Sequence, residues 1–238
     1  MSTIQVLFAF VLVVLAVSIA ASVSAPVEKG YVMPWMCLEI CDSHVSIQQQ
    51  LQTIREHTDS LSGVSFELYT LSDDCALRKY DASDVPPNGV TAVNSDILAA
   101  GLESWPMISS WPHPDNFITF IRKVVNDEAC SDSFIEQALR EAKKGKYTGY
   151  NLDWEPTYSN STAPVTQQDA QAYAVFVNKF AHALHGAGFK LGVDMANWAT
   201  IPGGPSFWDY SALAATAADK GISMGTYTSN DDSFMNQL

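Results

Sequence analysis

The segment Tyr147-Thr148-Gly149-Tyr150-Asn151-Leu152-Asp153-Trp154-Glu155-Pro156 decides how this chain folds. On a strand, alternate side chains point to opposite faces, so Tyr150, Leu152 and Trp154 share one face and Asn151, Asp153 and Glu155 the other. Polar side chains without partners are costly to bury, and a strand built for stability alone would carry Val or Ile there. In a barrel of parallel strands the apolar set would pack against helices. The polar set would climb the inner face toward the C-terminal mouth, where the catalytic groups of such barrels sit. The bland alternative is an N-cap acid on a solvated strand end.

Outward from this strand, helical and strand-like patterns alternate. Strand candidates are Tyr31–Cys37, Val64–Leu71, Pro106–Ser110, Tyr147–Trp154, Lys190–Asn197 and Ile222–Tyr227. Between them, helical periodicity runs over Ser43–Leu61, Phe117–Val125, Phe134–Lys144, Ala170–His185 and Tyr210–Ala218. Asp81–Val90 reads as a Pro/Gly/Asp-rich loop. Alternation without tight hairpins predicts an α/β fold built on a parallel sheet. The dinucleotide-binding version loses support, because MPWMCLEIC at the first strand holds no glycine fingerprint. A (β/α)8 TIM barrel is the expectation, with about six of its eight β/α units present. A C-terminal truncation would account for the shortfall and would leave the first and sixth strands as open edges.

The chain has 238 residues and a formal net charge of −13, which disfavours nucleic acid and anionic membranes as partners. None of its charged residues falls in the first 25 positions. There the apolar run Val6–Ala20 is followed by the small-residue stretch Ala21–Ala25, the pattern of a signal peptide over 1–25. An uncleaved anchor is the alternative, and no other segment approaches a membrane span. The remainder, 26–238, reads as one domain. Four cysteines, Cys37, Cys41, Cys75 and Cys130, suit an oxidising compartment. Asn160-Ser161-Thr162 is an N-glycosylation sequon in a polar stretch. A secreted or endomembrane, lysosome-like location follows.

Asp153 and Glu155, two apart on one face, have backbones about 6–7 Å apart. Charge on Asp153 and partial burial would both raise the pKa of Glu155. A carboxylic acid still protonated near neutral pH is what general-acid cleavage of a glycosidic bond requires. The segment resembles the D-G-x-D-x-D-x-E signature of glycoside hydrolase family 18, the chitinases, chitobiases and related endo-N-acetylglucosaminidases. Glu155 falls on the family's general acid, Asp153 on its last Asp and Asn151 on the middle one, where some chitobiase-like members also carry Asn. Thr148 replaces the first Asp. Looser matches extend over Ser131–Ile135, Ala172–Gly188 and Thr226-Tyr227.

The resemblance implies a retaining, substrate-assisted glycosidase acting on β-linked N-acetylglucosamine, without cofactor. Glu155 would protonate the leaving oxygen, Asp153 would orient the attacking 2-acetamido group, and Tyr227 would hydrogen-bond that group. Gly225 and Thr228 depart from the family's Met-x-Tyr-Asp at this strand, and Asn230 or Asp231 could replace the lost acid. The rivals are a non-catalytic chitinase-like carbohydrate-binding protein, an inactive fragment and an unrelated α/β domain.

Among the remaining residues, Trp35 and Trp111 lie near strand ends and are candidates to line a sugar cleft. Asp194 shares an alternating face with Gly192 and Ala196, placing another acid inside the barrel as a candidate substrate contact or a buried, hydrogen-bonded acid. His182 and His185 are three apart on a helix, but nothing joins them, so no metal is assigned. Four cysteines allow three pairings. Cys37–Cys41 with Cys75–Cys130 is one, and a tie between the first two loops is another. Oligomeric state is left open.

Overall fold

A computed structural model describes residues 30–38, 46–79, 89–112, 114–156, 164–196 and 207–224. The N-terminal stretch read as a signal peptide, Cys41, Asn160, Tyr227 and the positions flanking Tyr227 lie outside the described residues. The chain divides into two units, Met1–Tyr31 and Val32–Leu238, and the second carries every described strand and helix.

Seven strands form one sheet: β1 (Trp35–Met36), β2 (Gly63–Leu71), β3 (Leu77–Lys79), β4 (Glu103–Ser109), β5 (Gly149–Asp153), β6 (Lys190–Met195) and β7 (Lys220–Ser223). The order is β1-β2-β4-β5-β6-β7, with β3 beside β2. Every neighbouring pair along that path is parallel. A doubly wound sheet reverses its strand order at a switch point. Here the strands follow one another without reversal, as in a barrel, and the curled sheet makes part of a (β/α)8 barrel.

The helices are α1 (Ile47–Glu56), α2 (Gly89–Ala99), α3 (Phe117–Asn126), α4 (Glu128–Gly145), α5 (Gln167–Gly186) and α6 (Tyr210–Ala214). Several boundaries differ from the sequence reading because caps override periodicity. Ser46 and Gln49 form a capping box that starts α1 four residues after Ser43, and Leu61 lies beyond its end. Asp127 closes α3 and caps α4 by accepting a hydrogen bond from the Cys130 amide, so α4 begins well before Phe134.

Two elements went unanticipated. Helix α2 begins within the supposed loop and buries Val93 and Ile97 one turn apart. Strand β3 closes a hairpin on β2 through Ser72–Ala76. In that turn Cys75 takes a left-handed conformation, φ 65°, and Ser72 bonds the Ala76 amide and carbonyl. Polar turn chemistry without glycine hid the hairpin. Cys75 is disulfide-bonded to Cys130 with Cα atoms 5.6 Å apart, and Cys37 is also disulfide-bonded. A tie from the first loop to Cys75 is thereby excluded.

The start of α5 is tied to α3. Thr166 and Asp169 form its capping box, and Arg122 of α3 grips both Asp169 carboxylate oxygens at 2.7 Å. Hydrogen bonds from Arg122 hold the Asp169 carboxyl below the ordinary carboxylate range. Because the folded pKa is depressed, this stabilisation is complete above about pH 4 and is lost as pH falls through the lower folded value. Asp169→Ala is expected to cost about 1–2 kcal/mol at neutral pH in urea unfolding. The difference from wild type should shrink in acid.

Candidate active site

The alternation along β5 is observed directly. On the outer face, the Tyr150 hydroxyl donates to the Ala138 carbonyl of α4 at 2.8 Å. Trp154 stacks on Phe176 of α5, ring centres 5.3 Å apart, and meets Phe134 of α4 edge-on. Both aromatic residues are fully buried. Anchored between two helices, they fix the twist of β5 and turn Asn151, Asp153 and Glu155 toward the inner face.

There the polar side chains meet residues from neighbouring strands. The Asn151 amide nitrogen donates to Ser65 Oγ of β2 at 3.1 Å and to Asp194 Oδ2 of β6 at 2.9 Å. Ser65, Asn151 and Asp194 are each 0% exposed. Asn151 thus spans the hollow of the curled sheet. Its register partners are Met107 of β4 and Gly192 of β6, and the missing side chain at Gly192 leaves room beside it.

One level nearer the mouth, Asp153 is paired in register with Ser109 and is buried, whereas Glu155 is half-buried. The Asp153 carboxyl is held well above the ordinary carboxylate range, first by burial and then by the charges of Glu155 and Glu67. Burial raises Glu155. The expected push of Asp153 on Glu155 therefore runs the other way: the more enclosed carboxyl carries the penalty of the shared charge. Asp194 is raised by burial and by Asp153, with the Asn151 hydrogen bond opposing.

Glu67 of β2 escaped the sequence reading. Burial raises its carboxyl, a backbone hydrogen bond at Leu38 opposing, and its charge reaches Asp153. Its signal was the same alternation that exposed β5, since Ser65 and Glu67 are the polar residues in VSFEL. Tyr173 of α5 was also missed as a site neighbour. It is buried beside Phe207, ring centres 4.5 Å apart, and feels the charges of Asp194 and Asp153. A helical stripe of apolar residues concealed it.

The other predicted positions separate. Trp111 follows β4 near the mouth and is 36% exposed; its carbonyl accepts from Thr70 Oγ1 at 2.7 Å. Trp35, equally exposed, is the register partner of Ser65. It also lines a mostly apolar cavity of about 400 Å³ against α1, with Met36, Ile54 and His57. Asp194 is enclosed and belongs to the second layer behind Asp153. Thr148, in place of an acid, accepts a hydrogen bond from the Ser104 amide at 3.0 Å and so ties β5 to β4. Among the described residues no three His, Cys, Asp or Glu side chains are arranged to hold a metal, and no helix is long and apolar enough to cross a membrane.

No protein-family profile matches the chain, and no curated protein sequence matches it. Solved structures do. A class V chitinase from Pseudomonas fluorescens Pf-5 aligns with a TM-score of 0.62 at 22% identity, over 81% of this chain and 53% of that one. A chitinase from Chromobacterium violaceum gives a TM-score of 0.60 at 19% identity, over 81% and 55%. The spore cortex-lytic enzyme SleL of Bacillus megaterium gives 0.63 at 15% identity, over 84% and 43%. The chain spans about half the length of these neighbours. The resemblance carried by the β5 segment and the order of the strands converge, and the chain has the fold of the chitinases of glycoside hydrolase family 18, as a curled part of their (β/α)8 barrel.

Proposed function

We propose that this protein is a retaining glycosidase acting on polymers or oligomers of β-linked N-acetylglucosamine, with Glu155 as the general acid. One observation carries the reading: a half-buried carboxyl, raised by burial, stands next to a more deeply buried one at the C-terminal end of a parallel strand. The chitinase fold supports it, and so does a similar structure, a class V chitinase from Nicotiana tobaccum in complex with NAG4.

In this mechanism Glu155 gives its proton to the glycosidic oxygen as the bond to the anomeric carbon breaks. The substrate's own acetamido oxygen attacks that carbon from the opposite face, with Asp153 orienting the acetamido N–H and balancing the positive charge. Glu155, now ionised, takes a proton from the water that opens the cyclic intermediate, restoring the acid and retaining configuration. Tyr227 would hold the acetamido group from beyond β7, and Trp111 would floor a sugar subsite. Export through the N-terminal segment, with a glycan on Asn160, would place the enzyme outside the cytosol.

Chito-oligosaccharides should be hydrolysed with the β-anomer appearing first by NMR, and oligosaccharides lacking the 2-acetamido group should remain intact. Initial release of the α-anomer, or equal cleavage of both substrates, would refute substrate assistance. The non-catalytic rival is favoured by one observation: Thr148 engages in strand pairing where the family signature has an acid. Binding of chito-oligosaccharide without any turnover would establish it instead.

A further inference from the structure

At the mouth of the curled sheet, one rung carries polar side chains from three neighbouring strands. Thr70 of β2 pairs in register with Ser109 of β4, and Ser109 with Asp153 of β5. Register partners on adjacent strands point to the same face, so Thr70 and Ser109 share the inner face with Asp153. A register shift in β2 sets the composition of this rung. Glu67 lies opposite Met107, but Tyr69 rather than Leu68 lies opposite Ile108, so Thr70 instead of Tyr69 meets Ser109. The extra residue also turns Tyr69 outward, where its hydroxyl donates to Glu141 of α4 at 3.0 Å and its ring meets Tyr150 edge-on. Irregularities of this kind re-aim side chains beside active sites.

Both hydroxyls of the rung close on a single residue. Ser109 Oγ accepts from the Trp111 amide at 3.3 Å, and Thr70 Oγ1 donates to the Trp111 carbonyl at 2.7 Å. The N–H and the C=O of Trp111 are thus held together, and with them the direction in which its indole leaves the backbone. Ser109 supplies the local tie, two residues away, and Thr70 the distant one, 41 residues away. We propose that Thr70 and Ser109 form a hydroxyl clamp that fixes Trp111 relative to Asp153, so that the indole offers a preset stacking face to a sugar ring of the bound chain. Strand pairing sets the spacing, because Ser109 belongs to the strand next to Asp153, about 4.8 Å away across the ladder. A platform fixed beforehand loses less freedom when the sugar arrives, which favours binding. Thr70 and Ser109 are positioning residues, acting through Trp111.

The stacking role rests on the reading of the cleft as a site for N-acetylglucosamine chains; the clamp itself can be read without sugar. In the full chain labelled with ¹⁵N, the Trp111 backbone amide should have the order parameter of rigid backbone, about 0.85, and fall toward about 0.6 in Thr70→Val. That substitution keeps the β-branched shape and removes the hydroxyl, whereas Thr70→Ser should retain the rigid value. With chitotetraose as the probe, Thr70→Val should weaken calorimetric affinity about five- to tenfold, and KM should rise more than kcat falls. In a Trp111→Ala background the same substitution should change affinity by less than about twofold, because the clamp acts only through the indole. A rigid Trp111 amide in Thr70→Val with wild-type melting would overturn the proposal. So would an equal loss of affinity in both backgrounds, or a wild type that binds no chitotetraose. Absence of turnover with the predicted amide and affinity changes would count against the glycosidase reading alone.

Discussion

Glu155→Gln is expected to lower chito-oligosaccharide turnover by about 10²–10⁴-fold, because an amide of nearly the same shape has no proton to give the leaving oxygen. Substrate affinity should change much less, since the amide still fills the space of the half-buried carboxyl. The pH dependence follows from the sign of the shift. Glu155 works protonated, so kcat should fall as pH rises through its raised pKa. The same shift bears on stability. A carboxyl whose folded pKa is raised contributes stability that is complete below its unfolded value and is lost as pH rises through the folded one. The Gln variant should therefore melt no lower than wild type at neutral pH and should show a shallower loss of stability toward alkaline pH. A variant that keeps wild-type turnover of an aryl-chitobioside would remove Glu155 from the role of acid.

Trp154→Ala should cost about 3–5 kcal/mol in reversible unfolding, the range for emptying a large buried aromatic site. Trp154 is fully buried and contacts the rings of Phe134, Phe176 and Tyr173, joining α4 and α5 to the end of β5. The indole nitrogen has no hydrogen-bond partner among the described residues, so the loss is one of packing. Trp154→Phe, which retains an aromatic ring in the slot, should recover more than half of the difference. Because Trp154 lies between Asp153 and Glu155 in the chain, the cavity should also loosen both carboxyls and reduce turnover in whatever fraction remains folded. Unfolding free energies within about 1 kcal/mol of wild type for the Ala variant would mean that β5 is held by its ladder alone.

Much of this arrangement could be read along the chain because strand alternation is local. The single segment from Tyr150 to Glu155 assigns six side chains to two faces, and the contacts of Tyr150, Asn151 and Trp154 follow that assignment. The six parallel strands were legible for the same reason. Their ends were less so, because a boundary depends on caps and register. β7 begins at Lys220, earlier than the apolar run Ile222–Tyr227 suggested, since pairing to Gly192 extends it backward. β3 and α2 were hidden by a turn without glycine and by a helix start inside a loop-like composition.

By itself the sequence determined which residues could do chemistry: a strand that places Asn151, Asp153 and Glu155 on one face, in an order of elements suited to a parallel barrel. Only the tertiary structure decided which partners those residues have. Ser65, Glu67, Tyr173 and Asp194 lie some 20–90 positions away along the chain and are brought to one layer by the curl of the sheet. Alternation is set by neighbouring peptide units and is visible one strand at a time. Burial and the field of other charges are sums over everything nearby in space, and these set the protonation of the site.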